Sequence, residues 1–173
     1  MGNPSPYWLM IGLTLLLWPS IAWSGETIHV AVAANFKPLF VSLANRFEQE
    51  SGHTVLISSA SSGKLFAQLK QGAPFQLFLS ADMARPRQLQ QEGLAVADSL
   101  FTYAIGRLIL WSPDPKRFAD GAQPLTDGLL NKIALGNPRS VPYGQAAQET
   151  LHSLGLTQKY ADRLVFAEDV GQV

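Results

Sequence analysis

A short segment of the sequence, SSASSGK at residues 58 to 64, combines several serine hydroxyls with one lysine. Within it, Ser61 and Lys64 satisfy the S-x-x-K pattern, in which a serine nucleophile is activated for acyl transfer. That chemistry also requires an S-x-N element and a later K-[TS]-G strand. The chain has no S-x-N element, and its nearest match to the second, Lys70-Gln71-Gly72, falls at the end of the same predicted helix. An exported serine hydrolase is therefore only an alternative hypothesis.

The sequence also lacks the residue patterns that other kinds of catalysis require. The chain has no cysteine, which excludes thiol catalysis and cysteine-ligated zinc. Its histidines, His29, His53 and His152, are scattered, and the adjacent Glu168 and Asp169 stand at a predicted helix start, where carboxylates commonly cap amides. No dinucleotide or P-loop fingerprint occurs. The sequence thus predicts neither an enzyme nor a resident cofactor.

The charge balance also limits the partners. Thirteen basic residues match thirteen acidic ones, so no overall positive field gathers nucleic acid. No nucleic-acid partner is expected. Any anion that binds this chain must be held by local donors.

The N-terminus predicts export. Residues 7 to 18 are uncharged and largely apolar, too short a stretch for a comfortable membrane span, and small residues follow at Ala22 and Ser24. We expect residues 1–24 to be a signal peptide that is cleaved after Ser24, which leaves the mature chain in the periplasm. The absence of lysine and arginine before Lys37 departs from the usual signal pattern.

The rest of the chain alternates between strand and helix patterns, which predicts an α/β fold with parallel sheets. Strands are predicted at 28–33, 55–58, 75–80, 108–111, 133–135 and 164–166. Helices are predicted from Pro38 to Gly52, from about 65 to 72, and at 84–92, 125–130 and 144–154, with one further helix beginning at the chain end.

Small or hydroxyl-bearing residues recur where a strand gives way to a helix. In a parallel sheet such turns share the carboxyl edge, and each presents free helix N-terminal amides that bind anions. Helix capping alone explains one such turn, but four suggest a common site. The four turns are 33–35, 58–63, 141–144 and 168–170.

Five segments in this order resemble the ModA-type molybdate-binding periplasmic proteins of ABC transporters: AVAANF, SSASSGKLFAQLKQGAP, LFLSAD, ALGNPRSVPYGQAAQETL and FAEDV. The resemblance implies a type II periplasmic binding protein with two α/β lobes and the ligand between them. Lobe 1 is expected at 25–105 and an incomplete lobe 2 at 106–173. The second crossover and the C-terminal elements of the family are expected to be missing, which makes the chain a fragment that is expected to bind its ligand weakly or not at all and to be prone to aggregation.

The resemblance also implies the ligand contacts. They fall on Asn35 and Ser62, through side chains and amides, and on Tyr143 and Val170, chiefly through amides; the same residues would hold the molybdenum of molybdate. Some family members carry serine in place of Asn35 and alanine in place of Tyr143. A further tyrosine contact of some members would lie beyond Val173.

These observations predict a receptor that captures molybdate or tungstate and delivers it to an ABC permease in the inner membrane, with the chain acting as a monomer. A receptor for another small oxyanion or anionic metabolite is the first alternative, and the S-x-x-K hydrolase is the second. A sensory role for the same domain also remains open.

Overall fold

The computed structural model describes residues 25–119 and 121–173. The predicted signal peptide and its cleavage site after Ser24 lie outside these residues. No helix in the described ranges is long and apolar enough to cross a membrane.

The first sheet has three parallel strands in the order β2-β1-β3. The strands are β1 (Thr27–Ala33), β2 (Thr54–Ala60) and β3 (Leu77–Leu79), and the helices that follow them are α1 (Lys37–Ser51), α2 (Ser62–Lys70) and α3 (Ala84–Gln91). The central strand β1 is the most buried, because it is paired on both edges and its apolar side chains pack with Leu79 from β3. This arrangement confirms the three predicted strand-helix units.

The second sheet has two parallel strands, β4 (Ile133–Gly136) and β5 (Leu164–Ala167). The helices of this unit are α4 (Gln123–Thr126), α5 (Pro142–Ser153) and α6 (Thr157–Tyr160), with 3₁₀ turns at Ala161–Arg163 and Val170–Gln172. Its core is built from side chains of the helices and loops: Leu125, Leu130, Leu151, Leu156 and Tyr160.

Tyr160 anchors that second core. Its side chain is fully buried, and its hydroxyl donates a 2.7 Å hydrogen bond to the carbonyl oxygen of Leu125. A buried phenol needs such a partner, since an unpaired hydroxyl in an apolar core is costly. The bond ties α6 to α4 across the core.

Two sequence predictions were wrong or too long. The apolar run at 108–111 forms no strand; Ile109 and Trp111 are 76% and 70% exposed. In the described ranges no other strand pairs with this run, and apolar composition without a partner edge does not make a ladder. The helix predicted at 125–130 is only the four-residue α4, because Gly128 at φ 79° takes the left-handed conformation that ends it.

The α/β class with parallel sheets is confirmed. The division into lobes at residue 105 stays a prediction.

Candidate functional site

The strand-to-helix turns meet in one small cavity between the two sheets. It is lined by residues from all four turns that the sequence singled out, together with Ala81 from the turn after β3. The lining residues are Ala33, Ala34, Asn35, Ser61, Ser62, Ala81, Val141, Pro142, Tyr143 and Val170. The structure therefore brings together the four predicted ligand residues Asn35, Ser62, Tyr143 and Val170.

Each of the four predicted turns leaves at least one backbone amide available. The N–H groups of the four predicted ligand residues have no hydrogen-bond acceptor within the described residues. Two of the amides that follow them are satisfied: the N–H of Gly144 donates to the carbonyl of Val141, and the N–H of Gly171 to the carboxylate of Asp169. The first turn of a helix leaves such donors without an intrahelical partner. Four of them around one cavity form a set of anion donors.

Ser62 is oriented for donation. Its side chain is almost fully buried, with 1% exposed, and its Oγ accepts a 2.9 Å hydrogen bond from the N–H of Ala81. Because that bond uses a lone pair of the hydroxyl, the hydroxyl hydrogen remains free to donate to another acceptor. Ser62 can therefore offer both its amide and its hydroxyl to one anion.

Asn35 and Tyr143 occupy the more open side of the cavity. Asn35 lies in the turn before α1 and is exposed. The Tyr143 hydroxyl reaches Gly106 so closely that a Cβ on that glycine would lie 2.1 Å from it. The phenol of Tyr143 is thus engaged with the 100–108 segment, which leaves its backbone amide as the donor nearer the cavity.

A wider groove continues from this side of the cavity. Its volume is about 450 Å³, and its mostly apolar walls include Phe36, Met83, Phe101 and Leu108. Tyr103 also lines it, with its hydroxyl donating to the carbonyl of Ser80 at 2.7 Å. Burial raises the pKa of the Tyr103 hydroxyl, and the nearby Tyr143 raises it further. The phenol is thus kept neutral and acts as a structural donor.

The cavity itself carries no ionisable lining group except the Tyr143 phenol. Lys64 and Glu168, each two residues from a lining residue, form an ion pair in which the Nζ and Oε2 atoms lie 2.6 Å apart. In the described residues no group of three or more histidine or carboxylate side chains could hold a metal ion. The site suits an anion held by neutral donors.

The S-x-x-K pattern has a structural explanation. The Oγ of Ser61 accepts the backbone N–H of Lys64 at 3.4 Å, so Ser61 caps α2. The ammonium group of Lys64 is paired with Glu168 instead of a serine hydroxyl. Ser61 and Lys64 therefore serve as a cap and an ion-pair partner.

Ala81 also lines the cavity but was not among the residues predicted from the sequence. It follows β3 in Ser80-Ala81-Asp82, a turn with the same small and hydroxyl-bearing residues as the other four. Applying the same criterion to the third strand would have found it. Its N–H orients Ser62 and is not itself available to a ligand.

Two parallel α/β units line a donor-rich cavity between them, which is typical of a ligand-binding protein. The family model described as bacterial extracellular solute-binding protein matches residues 28–173. The chain belongs to this family, and its fold is that of the type II periplasmic binding proteins.

Similar proteins make the relationship more specific. The chain is 44% identical over 165 residues to the molybdate-binding protein ModA of Rhodobacter capsulatus, which covers 95% of this chain and 62% of that protein. It is 40% identical over 164 residues to ModA of Azotobacter vinelandii, covering 95% of this chain and 65% of that protein. The chain thus spans less than two thirds of the length of these relatives.

A solved structure agrees with this relationship. The Azotobacter vinelandii periplasmic molybdate-binding protein superimposes with a TM-score of 0.79 at 42% sequence identity, over 84% of this chain and 64% of that chain. The substrate-binding domain of a putative molybdenum ABC transporter from Clostridium difficile gives a TM-score of 0.57 at 31% identity, over 86% and 65% of the two chains.

Proposed function

We propose that this chain is the ligand-capturing part of a periplasmic receptor that binds molybdate or tungstate and delivers it to an ABC permease. The observation that carries the proposal is the convergence of four unpaired backbone amides on one uncharged cavity. The printed functions of the relatives support the choice of oxyanion and of transport partner.

Asn35, Ser62, Tyr143 and Val170 supply the donors in this proposal. A tetrahedral dianion offers acceptor oxygens in four directions, which matches donors that arrive from four separate turns. Hydrogen bonds to a charged group contribute about 1.5 to 3 kcal/mol each. Several of them reach the roughly 8 kcal/mol that corresponds to micromolar affinity, even after the costs of binding are subtracted.

Neutral donors also suit a receptor that must release its ligand. A buried lysine or arginine in the cavity would be left as an unpaired charge once the anion departs, at a large desolvation cost. Backbone amides and a hydroxyl carry a much smaller cost when they return to water. The receptor can therefore empty at the permease without strongly destabilising itself.

Export completes the proposal. In this proposal, residues 1–24 direct the chain to the periplasm and are removed after Ser24. The receptor acts as a monomer, since one chain supplies all the residues that line the cavity. N-terminal sequencing of the exported protein should give Gly25 as the first residue. A mature protein that begins at Met1 would refute the cleavage.

Isothermal titration calorimetry with molybdate, tungstate, sulfate and phosphate tests the ligand. Calorimetry is preferable to fluorescence, because Trp111 is the one tryptophan after residue 24 and it is 70% exposed. We expect one-to-one binding of molybdate and tungstate well above sulfate and phosphate. Equal binding of sulfate would instead favour a receptor for another small oxyanion or anionic metabolite.

A further inference from the structure

Two consecutive residues of α2, Gly63 and Lys64, contact the second sheet unit beside the cavity, and Arg85 of α3 also donates to the carbonyl of Arg139 at 3.4 Å. The N–H of Gly63 donates to the carbonyl of Ser140 at 2.9 Å, and the Lys64 ammonium lies 2.6 Å from the Glu168 carboxylate. A Cβ on Gly63 would lie 2.8 Å from the Ser140 Cα and carbonyl oxygen, so the two backbones touch directly. The α2 turn therefore meets the second unit at consecutive residues.

The ion pair lies next to the proposed donors in both units. Lys64 follows Ser62 by two residues, and Glu168 precedes Val170 by two. A separation of the backbones that carry Lys64 and Glu168 therefore also separates a donor of the first unit from a donor of the second.

We propose that Lys64 and Glu168 form an electrostatic latch that holds the two sheet units together over the cavity and so positions donors from both units on one anion. This inference rests on the proposed function, since a latch over the cavity matters only if the cavity takes a ligand. The partners are Lys64 on α2 and Glu168 after β5. Neither side chain touches the ligand; both are positioning residues.

The exposure of the pair suits reversible closure. The Lys64 and Glu168 side chains are 50% and 60% exposed, so water and salt screen their attraction. An exposed pair of this kind changes an equilibrium by about twofold to fivefold. That strength biases the units toward the closed arrangement and still permits release.

The latch can be distinguished from a direct effect of the two charges on the anion, because the two explanations predict opposite changes for Glu168→Gln. If the two charges acted only through their fields at the cavity, Lys64→Met would weaken dianion binding and Glu168→Gln would strengthen it. A latch requires both partners, so each single variant should release the ligand about twofold to fivefold faster than the wild type. The double variant should release it no faster than either single variant.

Binding kinetics provide the first measurement. We would determine the molybdate release rate and affinity for the wild type, Lys64→Met, Glu168→Gln, the double variant and the charge swap Lys64→Glu with Glu168→Lys. The swap should restore slow release. The control is Arg46→Met, which breaks the exposed Arg46–Glu50 pair within α1 and should change nothing.

A distance measurement makes the test independent of ligand. The chain has no cysteine, so spin labels can be attached at Arg87→Cys on α3 and Gln148→Cys on α5, both exposed positions in different units. Double electron–electron resonance should show a longer-distance population in Lys64→Met and in Glu168→Gln, and in the wild type at high salt. The charge swap should return the distances to those of the wild type.

The outcomes separate the two proposals. Longer distances in both single variants, with no molybdate binding by the wild type, would support the latch and overturn the proposed ligand. Molybdate binding with unchanged distances in every variant would overturn the latch and leave the receptor function intact. Opposite shifts in affinity for Lys64→Met and Glu168→Gln would also overturn the latch.

Discussion

The side chain of Ser62 and the backbone of Ala81 are joined by a hydrogen bond in which the serine oxygen is the acceptor, at 2.9 Å. This bond links the turn before α2 to the turn after β3, and it orients the serine hydroxyl. The same contact gives Ser62 a function in the fold and, in the proposed site, leaves its hydroxyl hydrogen to donate to a ligand.

Replacing Ser62 by alanine should therefore weaken molybdate binding by about 1 to 3 kcal/mol, because the ligand loses a donor and the Ala81 amide loses its acceptor. Calorimetry measures the affinity, and urea unfolding measures the accompanying loss of stability. Ser58→Ala is the matched control, since Ser58 is an exposed serine of β2 outside the cavity. Unchanged affinity in Ser62→Ala would remove this residue from the site.

Asn35 should tolerate a change that keeps a side-chain donor. Its side chain is exposed at the open side of the cavity, so a smaller residue causes no packing defect there. We expect Asn35→Ser to bind molybdate within about fivefold of the wild type, and Asn35→Ala to lose about 1 kcal/mol or more. If serine and alanine at this position bind equally, Asn35 contributes only through its backbone.

The sequence predicted which turns line the cavity better than it predicted the second half of the fold, and the reason is physical. A strand followed by a helix is a local pattern, and parallel pairing places the carboxyl ends of neighbouring strands at one edge. Asn35 and Ser62 follow paired strands of the first sheet, and Tyr143 and Val170 follow paired strands of the second, so the local pattern places each pair at one sheet edge. That the two edges face one cavity was implied by the family resemblance. Ala81 obeys the same rule.

Other features depend on partners that lie far along the chain. The exposed run at 108–111 has a strand-like composition, but composition does not supply a neighbouring strand. The pairing of Lys64 with Glu168 joins two residues that are distant in sequence, and each alone has the pattern of an ordinary helix-end residue. Only the folded arrangement shows that they connect the two units.

Tyr103 should give the protein an alkaline dependence of stability. Its pKa is raised by burial and by Tyr143, so the folded state favours the neutral phenol relative to the unfolded chain, where the pKa is about 10. The stabilisation of the folded state that comes from this difference in pKa is complete below about pH 10, and it is lost as the pH rises through the folded-state pKa. Urea unfolding from about pH 8 to about pH 11 should show this fall, and Tyr103→Phe should reduce it.

The Tyr103 variant has a second expected effect that serves as its control. Because the hydroxyl donates to the Ser80 carbonyl at 2.7 Å, Tyr103→Phe should lower the unfolding free energy by about 1 kcal/mol even at neutral pH. A variant that loses stability at neutral pH and keeps the full alkaline fall would show that another group causes the pH dependence.

Tyr160 should be a stability residue without influence on the ligand. It is fully buried, and Tyr160→Phe leaves the carbonyl of Leu125 without its donor, at a cost of about 1 to 3 kcal/mol. Thermal unfolding should show the loss, and calorimetry should show unchanged molybdate affinity at temperatures where the variant remains folded. Weaker binding by the folded variant would mean that the second core controls the geometry of the cavity.

Gly63→Ala should leave α2 intact and weaken molybdate binding. Alanine is a better helix former than glycine by about 1 kcal/mol, so Gly63→Ala should not weaken α2 itself. Its Cβ, however, would lie 2.8 Å from backbone atoms of Ser140, which no side-chain rotation can relieve, so the two sheet units must separate. We expect molybdate affinity to fall about tenfold or more, since donors from the two units no longer reach one anion together. Calorimetry on Gly63→Ala, with the exposed α2 variant Gln68→Ala as control, measures this; wild-type affinity in Gly63→Ala would show that the close approach of Gly63 and Ser140 is not needed for binding.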